Sequence, residues 1–250
     1  MTDSRRLKET IGYMFNVIIT FAFLQSIVVL MHEFTHSTVA WLLGDMASPF
    51  DIIWGNFLMM TGWDEGVHYS GLFPSGGQVT EAIIGGSPLL VHTIIVVLGM
   101  FLLQKQWTKE KKLVIHVIYW FVIANFMELI AYITMRSFAS EGDVWHLTRG
   151  LGLSPWIVFI VGGGLIIFGV YILFKKIVPL MCNLFAKGNY YTEWAILIIS
   201  AFYLFLYGSG LRVIFYIYPD PHWMFGLLGI PAFCTVLYMF KPAQKQSMIQ

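Results

Sequence analysis

Five consecutive residues, His32-Glu33-Phe34-Thr35-His36, hold the sharpest chemistry in the chain. On a helix, positions i and i+4 share one face, so both imidazoles can reach one metal ion while Glu33 stands beside them. That trio suits hydrolysis: a zinc ion makes a water nucleophilic, and the carboxylate takes its proton. The bland alternative is a polar patch that meets a partner helix or a structural ion. It fits less well, because ionisable groups inside an apolar helix are costly unless they serve a function.

The surroundings demand that helix. An apolar stretch runs from Ile11 to about Leu43, too long for the core of a cleavable signal sequence, and it is expected to stay in the membrane. The 250 residues are 58% hydrophobic and only 12% charged. A soluble domain carries about 25% charged residues, so the composition points to a protein of the lipid bilayer. The net charge of +1 excludes a bulk interaction with nucleic acid. Cys182 and Cys234 lie in or beside apolar segments and read as packing residues.

A helix needs about 20 apolar residues to cross the hydrocarbon. Six segments qualify, roughly 12–43, 84–103, 112–135, 156–174, 194–217 and 222–240. The fold class expected is an all-α, polytopic, multi-pass membrane protein forming one domain, with the last two spans as a possible accessory pair. Basic residues set its orientation. With both termini cytoplasmic, the inner segments hold Arg5, Arg6, Lys8, Lys105, Lys109, Lys111, Lys112, Lys175, Lys176, Lys187, Lys241 and Lys245, which is 12 of the 15. The outer loop 44–83 has no Lys or Arg but carries Asp45, Asp51, Asp64, Glu65 and Glu81. The run 175–193 reads either as an amphipathic helix on the membrane surface or as an extension of the fourth span, with Pro179 as a kink.

Zinc takes three protein ligands and leaves one position open. The third must come from another segment at the depth of the histidines, in the outer half of the first span. Two acids qualify. Asp143 lies in the outer loop just before the fourth span, and Glu128 lies in the third span about 8 residues before its outer end. Their bland roles are helix capping for Asp143 and an ion pair with Arg212 for Glu128.

These pieces resemble the site-2 protease family of intramembrane zinc metalloproteases, over roughly residues 12–155. His32 to His36 matches the family's first motif. Gly76-Gly77-Gln78-Val79 is similar to its Gly-Gly-x-Val segment, Gly86-Ser87-Pro88-Leu89 to the Gly-Pro-Leu that opens the next helix, and Asn125 to the Asn of its Asn-x-x-Pro segment. Two departures stand out: Glu128 replaces the Pro, and in Gly142-Asp143 the glycine precedes the aspartate, 18 residues after Asn125. The resemblance implies one zinc per chain on His32, His36 and Asp143, with Glu33 as the catalytic base. It implies that Asn125 hydrogen-bonds the substrate or the oxyanion. It also implies a small membrane-associated β-hairpin after the first helix, whose edge at Gly76, Gly77 and Val79 pairs with a substrate unwound from a transmembrane helix. Glu128 or His146 would then orient a ligand.

The remaining polar residues have plainer readings. His68 reads as a surface residue, His92 and His116 as histidines that begin or interrupt spans, and His222 as an interfacial one. Two other functions stay open beside proteolysis. A di-iron lipid-modifying enzyme would need more histidines in clusters. A protease-like protein that binds transmembrane helices or a metal without cutting would account for the altered segment between Asn125 and Asp143.

Overall fold

The structure is a computed structural model in which residues 2–56 and 62–242 are described, apart from the side chain of Tyr216. Lys245, counted above among the inner basic residues, lies outside them. Six helices are long and apolar enough to cross a membrane: α1 (Asp3–Leu43), α2 (Val79–Leu103), α3 (Lys112–Met135), α5 (Pro155–Ala186), α6 (Tyr190–Phe215) and α7 (Pro221–Phe240). A nine-residue helix that does not span, α4 (Asp143–Leu151), lies between α3 and α5. The helical, multi-pass reading holds. In lipid, only helices or closed barrels satisfy every backbone group, so long apolar runs must coil.

α3 runs through the middle. Every residue from Val122 to Tyr132 is buried, as an all-round apolar helix requires. One continuous core extends from Val17 in α1 to Val236 in α7. α6 is therefore no accessory element: Phe21 stacks on Tyr203 at 3.6 Å, and the Tyr119 and Ser200 hydroxyls meet at 2.6 Å. Outward-facing Phe15, Ile18, Leu90, Val97, Leu165 and Phe168 stay exposed, a surface suited to acyl chains rather than water.

Residues up to Ala186 extend the fourth span instead of lying flat on a surface. Pro179 is absorbed between two wider, π-type turns at Leu173–Ile177 and Cys182–Ala186. The one small sheet pairs β1 (Ile52–Ile53) antiparallel with β2 (Asp64–Glu65), Ile52 facing Glu65. So a hairpin follows the first helix, but it is not built from residues 76–79. Gly76 and Gly77 have φ of 65° and 75° and form a turn that only glycine adopts freely. Val79 is the first residue of α2.

Deep between α1, α3 and α6, Arg212 grips Glu128 with both guanidinium ends, at 2.7 and 3.1 Å. Gln25 donates a further hydrogen bond to Glu128 at 2.7 Å. Removing one partner leaves a buried charge uncompensated, at a cost of about 3–5 kcal/mol, whereas removing both is nearly neutral. Arg212→Leu is accordingly expected to lower the unfolding midpoint in detergent sharply, and Arg212→Leu with Glu128→Leu to recover most of it. Equal losses in the single and double variants would refute this account of the pair.

Candidate metal centre

His32 and His36 lie on one face of α1, roughly 10–16 Å from its Leu43 end at 1.5 Å per residue. Both are buried. Their Nε2 atoms are 3.3 Å apart. Asp143, the first residue of α4, brings one carboxylate oxygen to 3.2 Å from His32 Nε2 and the other to 3.5 Å from His36 Nε2. Glu33 is buried beside them at the wall of the same cavity.

The protons on these rings can be assigned from their partners. His36 Nδ1 lies 2.8 Å from the Ile84 carbonyl. A carbonyl only accepts, so Nδ1 carries the hydrogen and Nε2 of the neutral ring is bare. Pro88, four residues on in α2, has no N–H to offer that carbonyl, so the carbonyl's two lone pairs serve His36 and the Ser87 hydroxyl, which donates to it at 2.8 Å. Gly-Ser-Pro-Leu thus does local work: the proline frees the anchor of a histidine one helix away.

Asp143 reaches this point because α4 lies tightly against α2. A Cβ on Gly85 would come within 2.5 Å of the His146 Cβ, and one on Gly150 within 2.5 Å of the Ala82 nitrogen. Glu81 of α2 fastens the contact by accepting from His146 Nδ1 at 2.9 Å and pairing with Arg149 at 3.5 Å. The Arg149 guanidinium also donates to the Phe73 carbonyl.

One ligand atom from each of His32, His36 and Asp143 lies within 4.8 Å of the others, a cluster compact enough to close on one ion with metal–ligand bonds of about 2.0–2.2 Å. Asp143 Oδ2 is buried with no hydrogen-bond partner, although His32 Nε2 is close by. The residues present therefore fit a metal ion. Burial alone would raise the Asp143 carboxyl, but the positive charge that His32 and His36 carry in their doubly protonated forms outweighs it and holds the group well below the usual carboxylate range.

Compared with protein-family models, curated proteins and solved structures, the chain matches none.

The centre opens on a cavity of about 720 Å³, whose wall includes His32, Glu33, Tyr69, Tyr132, Asp143 and His146. Glu65 of β2 overhangs it, 3.9 Å from His36. Burial pushes Asp64 up to about 7, aided by Glu65 beside it. Arg136, Arg149 and Arg212, the three basic residues outside the inner segments, all line this cavity.

The structure brings together four of the expected residues: His32, Glu33, His36 and Asp143. Glu128 is held by Arg212 and Gln25 instead of joining the ligands. His146 stacks on Tyr69 at 3.7 Å and serves α4 through Glu81. Asn125 is fully buried, and both ends of its amide are occupied: Nδ2 donates to the Phe121 carbonyl at 2.7 Å and Oδ1 accepts from His92 at 2.8 Å. It is not part of the cavity wall, so it is not placed to donate to a substrate there, contrary to the catalytic role expected for it. Gly76 and Gly77 lie at the base of α4, where the Gly77 nitrogen donates to the Arg149 carbonyl. They offer no strand edge there. Sequence reasoning missed His92, 3.0 Å from His32. A histidine in the middle of an apolar span was the available signal.

If Pro88 anchors His36 as described, Pro88→Ala returns a competing donor to the Ile84 carbonyl. Metal affinity, measured by chelator competition, is expected to fall about tenfold, within the usual range for a lost outer partner. The unfolding midpoint of the metal-free protein should hold or rise, since helix interiors favour Ala over Pro. Unchanged affinity would refute the role given to Pro88.

Proposed function

We propose that the protein is an intramembrane zinc metalloprotease of the site-2 protease kind, with one zinc per chain, cutting a transmembrane or membrane-adjacent protein chain. The observation that carries this reading is the convergence of two imidazole Nε2 atoms and a carboxylate within 4.8 Å of one another, with Glu33 alongside at the wall of an open cavity. Two imidazoles and one carboxylate form the ligand set of several catalytic zinc sites. A zinc ion bound there supplies Lewis acidity that makes a water nucleophilic near neutral pH. Glu33 accepts that water's proton and delivers it to the leaving amine. Tyr69 lines the cavity while Asn125 does not, so the Tyr69 hydroxyl is the better placed donor to a developing oxyanion.

β2 lines this cavity while β1 does not. An unwound substrate strand would therefore add to β2, in place of the edge expected at residues 76–79. The distribution of Lys and Arg favours cytoplasmic N- and C-termini, with the cavity opening toward the other side.

The test uses the protein purified in detergent, with metal analysis and cleavage of transmembrane protein substrates. Wild type should hold one zinc. Glu33→Gln should keep that zinc and lose cleavage by about 10²–10⁴-fold, and Asp143→Ala should lose the zinc. Metal-free wild type, or cleavage unaffected by Glu33→Gln, would sink the proposal.

A further inference from the structure

Behind His32 lies a row of buried groups that the proposed chemistry does not use. His32 Nδ1 is 3.0 Å from His92 Nε2, His92 Nδ1 is 2.8 Å from Asn125 Oδ1, and Asn125 Nδ2 is 2.7 Å from the Phe121 carbonyl. His92 and Asn125 are both 0% exposed, so no bulk water can supply an alternative partner. The row crosses three helices: α1, α2 and α3.

Its proton positions follow from one fixed end. The Phe121 carbonyl can only accept, so the Asn125 amide must turn its nitrogen toward that carbonyl and its oxygen toward His92. Asn125 Oδ1 in turn can only accept, so the hydrogen of His92 sits on Nδ1. The neutral His92 ring then has a bare Nε2, which obliges His32 to donate from its own Nδ1. That leaves His32 Nε2 bare and facing Asp143 and His36 Nε2. We propose that His92 and Asn125 form an outer relay that fixes the Nδ1–H tautomer and ring plane of His32, so that its Nε2 is held ready for a metal. Asn125 and His92 are thus positioning residues, acting through His32.

The relay explains a feature that packing leaves unexplained. The bare Nε2 atoms of His32 and His36 face each other at 3.3 Å, with lone pair toward lone pair. In a site able to relax, one ring would move its hydrogen to Nε2 and relieve the repulsion. His32 cannot do so without leaving His92 Nε2 without a donor, and His36 cannot without abandoning the Ile84 carbonyl. Between two neutral rings the repulsion is therefore built in, and it is relieved by a metal ion or by a second proton that faces Asp143, 3.2 Å from His32 Nε2. Such outer partners also make a ligating imidazole more basic and hold its ring in place.

This inference rests on the metal-centre reading, and its test has one arm that does not. Chelator competition would give the zinc affinity of wild type and of His92→Ala, Asn125→Leu and Asn125→Asp, with unfolding midpoints recorded alongside. His92→Ala and Asn125→Leu should weaken binding about 10–100-fold. Asn125→Asp keeps an acceptor toward His92 and should stay close to wild type; a merely structural asparagine would make the Leu and Asp variants alike, and that result would overturn the relay. The second arm is ¹⁵N-histidine NMR of the metal-free protein, in which His32 should show the Nδ1–H tautomer in wild type and lose it in His92→Ala. An Nε2–H tautomer for wild-type His32 would overturn the relay whether or not metal binds. Metal-free wild type with the Nδ1–H tautomer would support the relay and sink the protease reading alone.

Discussion

The approach of α4 to α2 is the constraint on which the candidate metal centre depends. Two of the three donors come with one helix, because the spacing of His32 and His36 guarantees their common face. The third arrives only if a short helix outside the spans lies almost backbone to backbone against α2. Gly85 and Gly150 make that possible, since a Cβ at either would come within 2.5 Å of the opposing helix. Glu81, fully buried, then locks the contact from the α2 side through His146 and Arg149. In an apolar medium this pairing is strong, because the separated partners would find little water to replace one another.

The same medium accounts for how polar groups are distributed elsewhere. An ionisable side chain at membrane depth survives when it is paired or serves the site. Arg212 and Gln25 both donate to Glu128, and Arg212 also borders the cavity, where water can share its charge. Glu33 differs from them. It is buried against the centre and stands at the cavity wall, which suits a group that must gain and lose a proton.

Much of this was legible in the sequence, for physical reasons that differ from element to element. The six helices follow from the bilayer's demand that long apolar runs satisfy their own hydrogen bonds, and the histidine pair follows from helical periodicity. Asp143 could be singled out by side and depth but not decided against Glu128, because the choice depends on what else each carboxylate touches. Glu128 is claimed by Arg212, a partner 84 residues away. α4 escaped notice because nine amphipathic residues are too short to read as a span. The hairpin edge was assigned to Gly76–Val79, yet paired glycines can mark a left-handed turn as easily as a strand, and here they have positive φ. Asn125 drew attention as a polar residue within a span, but its direction, toward His92 and away from the cavity, is a tertiary fact.

Seen from the donors outward, α2 holds each of the three ligands by a different device. His36 is fixed by an α2 carbonyl that Pro88 has freed, His32 by the side chain of His92, and Asp143 by the surface that Gly85 and Glu81 offer to α4. α3 enters one step further out, through Asn125. A helix that serves as a common reference sets the three donors relative to one another. Glu33 takes no part in this anchoring, and no hydrogen bond to its carboxylate is seen among the described residues. The division fits the proposed chemistry: the candidate ligands are tied at both ends, and the group proposed to carry a proton is tied only through its backbone.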